Sequence, residues 1–176
     1  MAKISIVKNS IVEMDADAIV NAANSGLRAG SGVCGAIFEA AGHRALQAAC
    51  DEIGHCDTGD AVITPGFALK ARYVIHAVGP MWHGGHSDEA ELLASCYAKS
   101  LDLAVQNGCA SIAFPLISSG IYGYPKQGAW RVAISACLES LDRLGERAPD
   151  VYFCVLNDES LELGERILAE LSGAAD

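Results

Sequence analysis

Residues 29–38 read AGSGVCGAIF, Ala29 to Phe38, with glycines at 30, 32 and 35 and a cysteine between the last two. The spacing G-x-G-x-x-G admits three readings: a dinucleotide fingerprint, a cysteine nucleophile at a helix start, or a main-chain cradle for phosphate. Choosing among them decides how the flanking strand and helix connect.

A dinucleotide fingerprint needs its first glycine directly after a strand, and an acid at the end of the next strand about twenty residues on. Neither condition holds. The apolar run DAIVNA (17–22) ends well before Gly30, and Asp57 and Asp60 precede the next apolar run instead of following it. The nucleophile reading has one physical argument, the positive field of a helix N-terminus, which favours a thiolate. No base stands nearby in sequence, so a partner would have to be brought in by folding from His43, His55, His76, His83 or His86. Of these, His76 lies mid-strand in YVIHAVG (73–79), where a hydrogen-bonded core histidine is expected. The cradle reading gains from ISSGIYGYP (117–125), which repeats the plan of apolar strand, small residues, two glycines and a helix beginning after Pro125. Two such loops facing one another offer main-chain N–H groups with no side chain in the way. Neither contains the G-K-[ST] of a nucleoside triphosphatase.

Outward from these loops, KISIVK, DAIVNA, AVITPG, YVIHAVG, SIAFPLIS and VYFCVL are short apolar runs bounded by turn residues, the pattern of buried strands. Between them, AIFEAAG followed by HRALQAACDEI, then 88–108, 126–145 and 159–173, space apolar residues three and four apart and mostly end at glycine. The order β-β-α-β-β-α-β-α-β-α predicts one three-layer α/β/α domain over residues 1–176 with a mixed central sheet. The short FALKAR link makes AVITPG and YVIHAVG antiparallel neighbours. Ser87 is the expected cap of the helix that follows, with Asp88 and Glu89 in its first turn.

A chain of 176 residues with 51% apolar and 19% charged residues can bury a full core. No long apolar run or signal-like start is present, which leads to the expectation of a cytoplasmic protein with no membrane partner. Seven cysteines without C-x-x-C pairs argue against a disulfide framework and a zinc knuckle, and Cys50, His55 and Cys56 match no common zinc spacing, so no metal is expected. A formal charge of −10 repels nucleic acid, so a bound phosphate must be held locally by main-chain groups and helix ends.

Taken together, DAIVNAANSGLRAGSGVCGAIFEAAG, TGDAVIT, YVIHAVGPMW and IAFPLISSGIYGYP resemble the macrodomain family of ADP-ribose-binding proteins, closest to its bacterial O-acetyl-ADP-ribose deacetylases and mono-ADP-ribosyl hydrolases. The resemblance runs from about residue 3 to residue 170. It implies ADP-ribose or an ADP-ribosylated protein as partner, no cofactor, and a cleft at the strand ends. It assigns the diphosphate and distal ribose to the loop Gly30 to Gly35, through Gly32, Val33, Cys34 and Gly35, and closes the cleft with Ser118, Ser119, Gly120, Ile121 and Tyr122. Asn24 would hydrogen-bond the distal ribose, Tyr122 or Tyr124 would supply an aromatic wall, and Asn21 would tie the loop to its own strand. A monomer is the expectation.

Three departures from the family pattern stand out. Where relatives carry Gly-Asp-Ile-Thr with an adenine-binding Asp, this chain has Asn9-Ser10-Ile11-Val12, leaving Ile11 an adenine contact without that carboxylate. Leu156 stands where an aromatic often stacks on adenine. Cys34 replaces the Asp that helps to position or activate water. Asn24 and Cys34 are the expected catalytic positions, in an enzyme that removes ADP-ribose from mono-ADP-ribosylated proteins or deacetylates O-acetyl-ADP-ribose. A binding module without turnover is the alternative.

Overall fold

The computed structural model describes residues 2–173; Met1 and residues 174–176 of the expected domain lie outside the described residues. Strands β1 (Ile4–Lys8), β2 (Ala18–Ala22), β3 (Ala61–Pro65), β4 (Tyr73–Ala77), β5 (Ser111–Phe114) and β6 (Asp150–Val155) form one sheet in the order β1-β6-β5-β2-β4-β3. Every neighbouring pair is parallel except β3 and β4, which run antiparallel across the short link, as expected from its length.

Helices α1 (Gly32–Ala41) and α2 (His43–Ile53) cover one face, and α3 (Glu89–Gln106), α4 (Lys126–Leu144) and α5 (Asp158–Leu171) form the other layer. The alternation of each strand divides the core accordingly. On β2, Ala18 and Val20 join Phe114, Trp130 and Phe153 on the three-helix side, while Ile19 packs with Ile37, Phe38 and Leu46 of α1 and α2. The larger cluster is aromatic at its centre: Tyr97, Phe114, Trp130 and Phe153 are fully buried, and the Phe114 and Phe153 rings stack at 5.6 Å.

Two local expectations are corrected. Helix α1 begins at Gly32, not at Ala36, so Cys34 lies within its first turn. The N-cap of α3 is Asp88, in the left-handed region at φ 60°, and neither it nor Ser87 supplies a side-chain cap. Instead the Glu89 carboxylate folds back over the preceding loop and accepts from the main-chain N–H groups of His83 at 2.8 Å, Gly85 at 2.9 Å and Ser87 at 2.6 Å. Burial alone would raise this carboxyl, but those hydrogen bonds outweigh it and hold it at about 2. Two carboxylate oxygens thus satisfy three main-chain donors of the loop that precedes α3.

Candidate functional site

A cleft of about 700 Å³ opens at the carboxyl ends of β2, β5 and β6. It lies there because the chain leaves β2 toward α1 on one face and β5 toward α4 on the other, and the two diverging segments leave a crevice between them. Among its lining residues there is no Asp or Glu, although the chain carries a formal charge of −10; Lys126 is the one cation.

The first turns of α1, α4 and α5 reach this space, through Gly32 to Cys34, Lys126 and Ser160. Ser31 makes no side-chain cap to α1, Pro125 precedes α4, and neither first turn contains an acidic residue. By contrast, α3 and α5 carry Glu89 and Glu91, and Asp158 and Glu159, in theirs. The positive ends of α1 and α4 are therefore left for an anion. Across the cleft, residues 118–124 form a tight loop in which Gly123 N–H donates to the Gly120 carbonyl at 3.0 Å and Tyr124 N–H to the Ser118 carbonyl at 2.9 Å. Among the described residues, the N–H groups of Gly120, Ile121 and Tyr122 donate to no protein acceptor. A strap from β4 holds the loop: Trp82 N–H donates to the Tyr122 carbonyl at 2.8 Å, and the Trp82 and Tyr124 rings pack at 4.7 Å.

The opposite wall is braced by two amides. Asn24 Nδ2 donates to the Arg28 carbonyl at 2.8 Å and its Oδ1 accepts from Arg28 N–H at 3.0 Å. From behind, Gln47 Oε1 accepts from Ala29 N–H and its Nε2 donates to the Leu27 carbonyl, each at 3.0 Å. Gly35 closes the turn by close approach, since a Cβ there would stand 2.6 Å from the Gly30 carbonyl oxygen. An amide has a second hydrogen and a second lone pair, so Asn24 keeps one donor and one acceptor beyond its bonds to Arg28.

Behind the wall lies a buried polar chain. Asn21 pairs in register with His76 of β4, and its Nδ2 stands 3.1 Å from His76 Nδ1 and 3.6 Å from Cys34 Sγ. Cys34 Sγ in turn donates to the Arg28 carbonyl at 3.7 Å. His76 Nε2 reaches Thr64 Oγ1 at 2.9 Å. Burial lowers His76 to about 4, so the ring is neutral near pH 7: the hydrogen-bonded core histidine expected of its position. Burial also raises Cys50 to about 11 and Cys154, which lines the cleft, to about 12.

Of the residues singled out in the sequence, Ile11, Asn24, Gly32, Val33, Cys34, Leu156 and all five from Ser118 to Tyr122 line the cleft. Gly35 does not; it supports the wall from within α1. Tyr122 lines the cleft, whereas Tyr124 is buried against Trp82 and supplies no wall. Asn21, on β2, bonds to Cys34 and so ties the loop to its own strand as expected, and it bonds to His76 of β4 as well. His55, set apart above with Cys50 and Cys56, pairs with Asp57 at 2.7 Å, while Cys50 turns inward to His76. Sequence reasoning missed Lys126, whose one signal was its place directly after Pro125 at a helix start, and Gln47, which has none.

Comparison with known proteins agrees with this architecture. A profile of the Macro domain family matches residues 20–133. A macro domain-containing protein of Chlorobaculum tepidum is 51% identical over 167 residues, covering 94% of this chain and 95% of the relative. A protein of Cronobacter turicensis named O-acetyl-ADP-ribose deacetylase is 45% identical over 172 residues, covering 96% of this chain and 97% of its own length. Among solved structures, a variant of the Oceanobacillus iheyensis macrodomain with ADP-ribose superposes with a TM-score of 0.89 at 34% identity, covering 96% of this chain and 92% of that one.

Proposed function

The chain belongs to the macrodomain family, and from that premise we propose that its cleft binds ADP-ribose and hydrolyses esters on the distal ribose, either an acidic side chain of a mono-ADP-ribosylated protein or the acetyl group of O-acetyl-ADP-ribose. The observation that carries the binding part is the cleft free of lining carboxylates, between two helix N-termini without acidic first turns, in a strongly acidic chain. That arrangement suits a diphosphate held by main-chain N–H groups of residues 30–34 and 120–122, with Lys126 adding a positive charge. Ile11 and Leu156 then offer apolar contact to adenine, and the free donor and acceptor of Asn24 meet the distal ribose hydroxyls beside Cys34.

For hydrolysis, water adds to the ester carbonyl, the bond to the ribose oxygen breaks, and the released hydroxyl takes up the proton that the water gave. With no carboxylate among the lining residues to act as base, the bound phosphate oxygens hold and relay that proton, while the loops orient the bond and exclude bulk water. The relative named a deacetylase supports this reading by analogy of fold and sequence.

The thiol at position 34 favours a second reading, recognition of ADP-ribose or ADP-ribosylated protein without turnover, because its hydrogen is directed at a main-chain carbonyl and not at the cleft. Calorimetric titration with ADP-ribose, with AMP and NAD as controls, tests the binding. Absence of selective ADP-ribose binding sinks both readings. Release of ADP-ribose from a mono-ADP-ribosylated protein, or of acetate from O-acetyl-ADP-ribose, separates the enzyme from the module.

A further inference from the structure

Asn21 and His76 sit side by side on β2 and β4, with Asn21 1% exposed and His76 fully enclosed. Neither lines the cleft. The Asn21 amide nevertheless reaches the cleft wall, since its Nδ2 lies within hydrogen-bond distance of both the His76 ring and the Cys34 sulfur. Because the buried ring is neutral, it carries one proton. With Nδ2 as the donor, His76 Nδ1 accepts and the proton resides on Nε2, facing Thr64. Both amide hydrogens are then used, one on the ring and one on the sulfur. The Oδ1 atom is left buried without a partner. A buried carbonyl without a donor is unfavourable, and the packing holds the amide in an orientation that serves its N–H groups.

We infer that Asn21 is a positioning residue for the cleft: oriented by His76, its amide holds the Cys34 sulfur as an acceptor, which turns the thiol hydrogen to the Arg28 carbonyl and ties the wall of residues 28–34 to the sheet. Cys34 therefore presents a fixed sulfur surface to the distal end of the ligand and keeps its hydrogen out of the reaction. Since the Arg28 main chain also makes both bonds with Asn24, one loop residue joins the amide that faces the ligand to the amide that lies behind it. The effect on ligand choice rests on the ADP-ribose reading; the orientation of the amide does not.

Two measurements test this. Long-range ¹H–¹⁵N correlation of the unaltered protein at neutral pH should show His76 with a bare Nδ1 and a protonated Nε2. A ring protonated at Nδ1 would mean that the amide carbonyl faces the ring and the sulfur, and the inference would be overturned. Titrations of Asn21→Ala and Asn21→Asp with ADP-ribose and with ADP, which lacks the distal ribose, supply the second readout. Affinity for ADP-ribose should fall by about tenfold or more and affinity for ADP by a clearly smaller factor, since residues 30–34 also meet the diphosphate but only the distal ribose reaches Cys34 and Asn24. Equal losses for both ligands, or none for either, overturn the positioning role. Should the variants fail to fold, the spectrum of the unaltered protein still decides the point. If the unaltered protein binds no ADP-ribose, the functional reading falls and the His76 tautomer remains the test.

Discussion

Asn24 and Arg28 close a ring of two hydrogen bonds, Asn24 Nδ2 to the Arg28 carbonyl at 2.8 Å and Arg28 N–H to Asn24 Oδ1 at 3.0 Å. The side chain proposed to meet a ribose diol is therefore also the brace of the wall on which it stands. Asn24→Ala removes both functions at once. Its expected outcome is loss of turnover, with ADP-ribose affinity lower by about tenfold or more and stability lower by about 1 kcal/mol. Calorimetric titration and denaturant unfolding measure the two losses separately, and normal turnover in this variant would remove the ribose-orienting role.

Cys34→Asp restores a carboxylate to the cleft. Asn21 Nδ2 is already placed to donate to the group at position 34, although the Arg28 carbonyl, which receives the thiol hydrogen, would repel a negative charge. The expected result is faster hydrolysis, by about tenfold or more, within the range of general-base contributions. Chromatographic assay of released ADP-ribose or acetate checks it. An unchanged rate would show that lack of a base at this position does not limit the reaction.

Gly35→Ala forces a side-chain carbon against the main chain, because the new Cβ would stand 2.6 Å from the Gly30 carbonyl oxygen. We expect a stability loss of about 1–3 kcal/mol and weaker ADP-ribose binding as the 30–34 loop is pushed outward. Gly30→Ala is the control: its Cβ would meet Cys34 Sγ at 3.8 Å, an ordinary contact. Unfolding curves for the two variants should differ, and equal stability would contradict the packing described for this turn.

Glu89 ties the strap over the closing loop to α3, and its effect has a defined pH window. Its carboxyl is lowered from 4.5 to about 2 in the folded chain. The stabilisation is thus fully present above the unfolded value and is lost as pH falls through the folded one. Glu89→Gln, which offers one acceptor oxygen to three N–H donors, should lower Tm at pH 7, and the gap to the unaltered protein should narrow as pH falls from 4.5 toward about 2. Thermal melts across that range test it, and a gap that stays constant would rule out the carboxylate as its source.

Much of the fold was legible along the chain because it rests on local signals. The alternation and β-branched content of DAIVNA and YVIHAVG marked β2 and β4, the six-residue FALKAR link made β3 and β4 antiparallel, and the glycines of 30–35 and 117–125 marked the loops that line the cleft. The errors came where a side chain chose between local and distant partners. Ser87 had the right type for a cap, yet the helix starts one residue later, after Asp88, and the Ser87 N–H is instead held by the Glu89 carboxylate along with those of His83 and Gly85. Tyr122 and Tyr124 are indistinguishable by spacing, and only the Trp82 ring packed on Tyr124 determines which of them faces the cleft.

Residue type and spacing by themselves determined the strands, most helices, the two glycine loops and the family pattern, since backbone preference and apolar periodicity act over a few residues. The tertiary structure alone decided that Asn21 meets His76 and Cys34, that Gln47 supports the cleft wall from behind, and that Lys126 is the one cation among the lining residues. Those relations depend on which strands lie side by side and which helix ends converge, and they form only when the sheet brings segments far apart in sequence within hydrogen-bond reach.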